Sequence, residues 1–270
     1  VRNSVWKSSD AHSWKLALQT TPFGRDNLGS SIIFDNAIWY FGLYGDIWRS
    51  VDGVSWDAVT KKAAFGQRQG AGIIAFKNKL WLLGGFTRKA NKSLENGYKE
   101  FTTYNDVWVS ENGKNWKKVL DNAPWRERMW FGLTEYDGQL WLLGGYDNKN
   151  NKNFADIWST SNGSDWEMIT PNAIFGPRHW PSIFVYEDAI FLAAGNSWPL
   201  KNDVWRFQKC KQFTQIWQTK KMGQQKLCIP FLDFSRQLKR KTLLRVALFK
   251  NKARRLKNKA RRLKNKLGLF

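Results

Sequence analysis

Short apolar runs of five to seven residues recur along residues 1–208, and none carries the i, i+3, i+4 stripe of a helix. Two are nearly identical: Leu80-Trp81-Leu82-Leu83-Gly84-Gly85 and Leu140-Trp141-Leu142-Leu143-Gly144-Gly145. Looser copies read Ile38-Trp39-Tyr40-Phe41-Gly42 and Ile190-Phe191-Leu192-Ala193-Ala194-Gly195. A second apolar run precedes each of them: Ser30 to Phe34, Gly70 to Phe76, Met129 to Tyr136 and His179 to Tyr186. Asn78 and Asp137-Gly138 stand at hairpin tips between runs, where positive φ is needed. Runs this short, rich in Ile, Leu, Phe and Trp, predict strands buried on both faces.

A further pair of strands follows each hairpin. Val5-Trp6, Asp46-Ile47-Trp48, Asp106-Val107-Trp108, Asp156-Ile157-Trp158 and Asp203-Val204-Trp205 mark the first of the pair. Eight residues later come Trp14, Trp56, Trp116 and Trp166, with Phe213 at the fifth copy. Tight turns built on Ser50-Val51-Asp52-Gly53, Ser110-Glu111-Asn112-Gly113 and Ser161-Asn162-Gly163 lie between. Each repeat is thus a four-stranded antiparallel meander. A single meander cannot bury both faces, and radial stacking of several predicts an all-β propeller. Four complete meanders are expected over about 29–59, 69–120, 128–170 and 178–217, with an N-terminal half blade before them.

The Gly-Gly ending the second strand, the Arg before the first and the Trp of the outer pair resemble kelch repeats. The Ser-x-Asp-Gly-x-x-Trp turns are also similar to the Asp-box turns of bacterial propellers, one residue short. The resemblance implies a kelch-like β-propeller of the galactose oxidase-like superfamily over residues 1–217, of bacterial type and with an incomplete ring. It fixes fold far better than function, because such propellers serve many roles.

A meander reverses at every strand, so its connectors fall on two faces. One face carries the short tips and the Asp-Gly or Asn-Gly turns. The other carries the blade-to-blade links and the loops Leu43–Gly45, Phe86–Asn105, Tyr146–Ala155 and Asn196–Asn202, which vary from about 3 to 20 residues. Variable loops carry function more often than uniform turns. That face also collects Arg25, Arg68, Arg128 and Arg178, one per link, whose guanidinium groups suit a carboxylate, sulfate or phosphate. A residue recurring once per blade equally suits a framework job. Trp130, His179, Trp180 and Trp198 break the repeat near the same rim, and aromatics beside Arg suit sugar or peptide binding. The expected partner is therefore a protein or carbohydrate ligand on the long-loop face.

No cofactor or metal is expected, since the repeats hold no Cys and their two His, His12 and His179, lie far apart. Galactose oxidase chemistry and a Ser–His–acid triad fail on the same count. The enzyme alternative is a sialic acid mutarotase-like activity, with rim arginines for the sugar carboxylate and Glu127, Glu135 or His179 for proton transfer. No apolar run approaches the roughly 20 residues of a membrane span. The chain opens at Val1 with no charged-then-apolar leader, which leaves a secreted or periplasmic location as a guess.

Charge enters last because it divides the chain. Of the formal net charge of +22, residues 209–270 carry +19, and both Cys (Cys210 and Cys228) lie there too. A seven-residue block, Asn251 to Lys257, repeats as Asn258 to Lys264. The composition favours helix, and the break near residue 209 sets residues 218–270 apart as a basic tail from a shifted reading frame. Its expected property is non-specific polyanion binding.

Overall fold

Two-residue turns set the register of every inner hairpin. The computed structural model describes the backbone of residues 3–23, 29–90, 99–209, 213–219 and 224–230, with side chains except at 89–90, 99–100 and from 209 onward. In it Asp35-Asn36, Lys77-Asn78, Asp137-Gly138 and Glu187-Asp188 all hold positive φ at both positions. Paired positive φ is the type I′ geometry, whose twist matches that of the strands it joins.

The first blade is β3 (Ser30–Phe34), β4 (Ala37–Phe41), β5 (Ile47–Ser50) and β6 (Asp57–Thr60). The second is β7 (Gly72–Phe76), β8 (Lys79–Ala90), β9 (Lys99–Ser110) and β10 (Lys117–Leu120). The third is β11 (Gly132–Tyr136), β12 (Gln139–Asp147), β13 (Lys152–Thr160) and β14 (Glu167–Thr170). The fourth holds β15 (Ser182–Tyr186), β16 (Ala189–Ala193) and β17 (Val204–Lys209), with β18 (Phe213–Thr219) and β19 (Gln224–Pro230) following in the chain. A two-stranded N-terminal hairpin, β1 (Val5–Lys7) and β2 (Lys15–Leu18), makes the expected half blade. Within each blade consecutive strands pair antiparallel. Inner strands β3, β7, β11 and β15 lie side by side in that order, so the sheets stand as propeller blades. No helix occurs among the described residues. The blades fall in one compact unit, Val1–Gln208 with Ile216–Lys226, and Lys209–Gln215 with Leu227–Phe270 form a second. The basic stretch expected from 231 onward, and Arg25, lie outside the described residues.

The interfaces between blades are aromatic. Trp39, Trp81 and Trp141 sit one residue apart from their blade neighbours in the same register, and each donates its Nε1–H to the carbonyl of Phe34, Phe76 or Tyr136 at 2.8–3.0 Å. The next blade's outer turn closes over the ring. A Cβ on Gly113 would stand 2.2 Å from Trp39 Cζ3, and one on Gly163 2.2 Å from Trp81. Phe207 meets Trp141 edge-on, with centroids 5.1 Å apart. Each fully buried aromatic of this kind contributes roughly 2–3 kcal/mol of transfer free energy. Glycine is required at those turns because any side chain would enter the indole.

The second strands carry a bulge at their Gly-Gly. The register shifts between Leu83 and Gly85, and again between Leu143 and Gly145. Pairing then resumes, from Gly85↔Tyr104 to Ala90↔Lys99 in the second blade and from Gly145↔Phe154 to Asp147↔Lys152 in the third. The stretches Phe86–Asn105 and Tyr146–Ala155, read from sequence as loops, are therefore largely β-ribbon, apart from 91–98, which lie outside the described residues. The reason is composition: Phe86-Thr87 opposite Thr102-Thr103-Tyr104 is strand chemistry, β-branched and aromatic.

Candidate functional site

The repeated arginines occupy one position in each blade, directly before the inner strand, and the structure puts them inside the framework. Arg68 is 8% exposed, and Arg128 and Arg178 are 0%. Arg68 donates through Nη1 and Nη2 to the two carboxylate oxygens of Asp106, both at 2.7 Å, and through Nη1 to Gly84 O at 2.9 Å. Arg128 does the same to Asp156 (2.6 and 2.7 Å) and Gly144 O (2.8 Å), with Nε donating to Arg126 O at 3.0 Å. Arg178 pairs with Asp203 at 2.5 and 2.9 Å and with the carbonyls of Ala194 and Phe175. Burial pushes the Asp203 carboxyl up, but the hydrogen bonds and charge of Arg178, with the Trp205 hydrogen bond, hold it below its ordinary range.

The same aspartates explain the Asp-x-Trp spacing. Residues two apart on a strand share a face. Trp48, Trp108 and Trp158 accordingly donate Nε1–H to Asp46, Asp106 and Asp156 at 2.7–2.8 Å. Each buried guanidinium thus ties an inner strand, a bulge carbonyl and the third strand together, and its donors face the protein.

Two residues after each arginine the chain enters the left-handed region: Gly70 at φ 59°, Trp130 at 54° and Trp180 at 56°. For a bulky residue this costs on the order of 1–3 kcal/mol, so the surroundings must enforce it. Cross-blade hydrogen bonds do so. Trp130 N donates to Gly70 O at 2.9 Å, and Trp180 N donates to Trp130 O at 2.6 Å. The indoles of Trp130 and Trp180 stack, with centroids 4.9 Å apart and planes 11° apart. His179 stacks on Trp130 at 5.3 Å, and Tyr146 lies nearly parallel to Trp130 at 6.1 Å. Phe86 meets Trp130 edge-on at 5.5 Å. His179 Nδ1–H donates to Asn153 Oδ1 at 2.6 Å, and burial lowers its pKa, which keeps the ring neutral and stacked.

Beside this stack lies a cavity of about 460 Å³. All four blades reach it: Gly29 and Ser30 from the first, Gln69 to Ala71, Phe86 and Arg88 from the second, Trp130 and Phe131 from the third, Trp180 from the fourth. It sits where the inner strands begin, on the face of the blade-to-blade links. Trp180 remains 62% exposed there. Arg88 is the charged residue of the lining, and its guanidinium lies 5.8 Å from the Phe86 ring and 5.4 Å from that of Phe101. A flat ring can stack on indole here while a negative group meets Arg88.

Of the residues singled out from sequence, Trp130, Trp180 and His179 come together. Trp198, 92% exposed, does not line the cavity. Glu127 is exposed outside the lining. Glu135 lies on β11 next to the Asp137-Gly138 tip, five residues along the chain from Trp130 and hence about 16 Å away on the opposite face. Gly70, Phe86, Arg88, Phe101 and Tyr146 were missed. Phe86 and Tyr146 share a signal, the aromatic directly after Gly-Gly, whereas Arg88 has none. No cluster of three or more metal-ligating side chains occurs among the described residues.

Blades, buried arginine pins and a central aromatic cavity define a β-propeller. A search of solved structures agrees: the chain is similar to the structure of YjhT, with a TM-score of 0.56 and 14% sequence identity, over 76% of this chain and 65% of that one. The likeness is one of fold, and the chain spans 65% of the length of that neighbour. Neither a protein-family model nor a curated protein sequence matches it.

Proposed function

We propose that this protein is a binding module of a kelch-like propeller, which takes a protein or carbohydrate ligand on the face of the blade-to-blade links. The observation that carries the reading is the Trp130–Trp180 stack standing exposed beside a four-blade cavity. The Gly-Gly bulges and the arginine pins support the kelch-like assignment. The pins also relocate the binding chemistry: with Arg68, Arg128 and Arg178 committed to aspartates, Arg88 and the indoles meet the ligand. The basic tail over 218–270 adds sequence-independent attraction to polyanions, which falls steeply between low and physiological salt.

Titration of the full chain with pyranosides and short peptides, read by tryptophan fluorescence, tests the reading. Trp180→Ala should weaken any ligand of this face roughly tenfold, the size of one aromatic stacking contact. The thermal midpoint should barely move, because the side chain is exposed. A ligand whose affinity ignores Trp180→Ala refutes the site. Accelerated anomerisation of sialic acid, lost in Glu127→Gln, would replace binding by catalysis.

A further inference from the structure

The cavity occupies a definite place in the periodic stack. Gly70, Trp130 and Trp180 are the same position in three successive blades, with the same left-handed backbone and a continuous hydrogen-bond chain from one to the next. The third blade's indole leans over the second blade's position 70, where a Cβ would stand 2.6 Å from Trp130 Cδ1. The fourth blade's indole leans over that of the third in turn. A side chain at 70 would continue the stack over the small residues Gly29 and Ser30. That space is the cavity. Glycine at 70 is therefore what leaves it open.

Resting on the platform reading above, we infer that the slot receives an aromatic side chain of a protein partner, flanked by acidic residues. It takes the place a third indole would hold. What fits is what the chain itself puts in the two neighbouring registers: a flat, indole-sized ring lying on the free face of Trp130. Cavities of this volume suit such a group. The acidic flank follows from charge, since Arg88 is the ionised group of the lining and its guanidinium is spread over Phe86 and Phe101 at the lip. Gly70 is then the specificity-determining residue and Arg88 the charge selector.

Calorimetric titration of the full chain with the blocked tripeptide acetyl-Glu-Trp-Glu-amide tests this. Saturable one-site binding is expected, with acetyl-Lys-Trp-Lys-amide at least tenfold weaker. Arg88→Gln should erase most of that difference, weakening the acidic peptide about fivefold. Gly70→Trp should abolish binding while near-ultraviolet circular dichroism gains the signal of an additional stacked indole, which separates a filled slot from a collapsed fold. Gly70→Ala, whose methyl displaces the Trp130 ring, should weaken the peptide at least tenfold and serves where Gly70→Trp fails to fold. Unchanged peptide binding in both variants overturns the inference. If a methyl glycoside or methyl glucuronoside saturates the site and the tripeptide does not, the aromatic partner is refuted and the platform stands. If none of these probes binds, both fall.

Discussion

Removing one carboxylate from a buried pin is expected to be the most damaging single change in the framework. Asp156→Ala leaves Arg128 at 0% exposure with two of its donors facing nothing. The loss of one partner of a buried ion pair costs about 3–5 kcal/mol, because the remaining charge stays desolvated. Trp158 Nε1–H also loses its acceptor at 2.7 Å, adding about 1 kcal/mol. Gly144 O and Arg126 O still hold the guanidinium, and the Phe154 ring lies 4.2 Å from it, which favours the lower end of the range. For a folded unit of this size, about 3–5 kcal/mol shifts the midpoint by roughly 6–20 °C. Thermal unfolding followed by circular dichroism reads it directly. The comparison is Lys79→Met, which breaks the exposed pair with Glu111 and should cost no more than about 1 kcal/mol. A midpoint for Asp156→Ala within that smaller margin would refute the view that the arginines serve the framework, and would return them to the ligand.

Gly113→Ala and Gly138→Ala both place a side chain at positive φ, but only the first meets an indole, Trp39. Gly138→Ala should cost about 1 kcal/mol and Gly113→Ala at least twice that, by denaturant unfolding. The backbone amides of Val54 and Ser55 lower the Asp52 carboxyl from 3.8 to about 2. Its stabilising effect is thus fully present above pH 3.8 and is lost as the pH falls toward 2, and Asp52→Asn should flatten the acid limb of the unfolding profile over that window. His179 has the opposite charge sign and the same slope: burial holds its pKa below 6.5, so the unfolded chain takes up the proton first. Stability and ligand affinity should then decline below about pH 6.5, and His179→Phe should remove that part of the decline.

The fold was legible in the sequence because its repeats are written in residues with few alternatives. Asp-Gly, Gly-Gly and Asp-x-Trp each satisfy a local demand, a left-handed turn, a bulge, or an acceptor two residues from an indole. The turns Lys77-Asn78 and Glu187-Asp188 adopt the same geometry with long side chains in the left-handed region, and there the pattern was weak. The site was legible in part. Trp130, His179 and Trp180 stood out by breaking the repeat, yet their stacking depends on cross-blade hydrogen bonds that no local pattern encodes. Arg88 lay hidden because Phe86–Asn105 reads as a variable loop until the bulge at Gly84-Gly85 is seen to restore pairing. The rim arginines misdirect for a simpler reason: an Arg that pairs with an Asp of its own blade, 38 residues later in the second, looks unpaired in one dimension.

The left-handed position two residues after each pin has a consequence for engineering. Its backbone is held by the blades on either side, and the framework has already accepted both glycine and tryptophan there. Residue identity at 70, 130 and 180 is therefore nearly decoupled from folding. A small library confined to these three codons would vary the depth, polarity and ring content of the cavity while every blade, bulge and turn stays as it is.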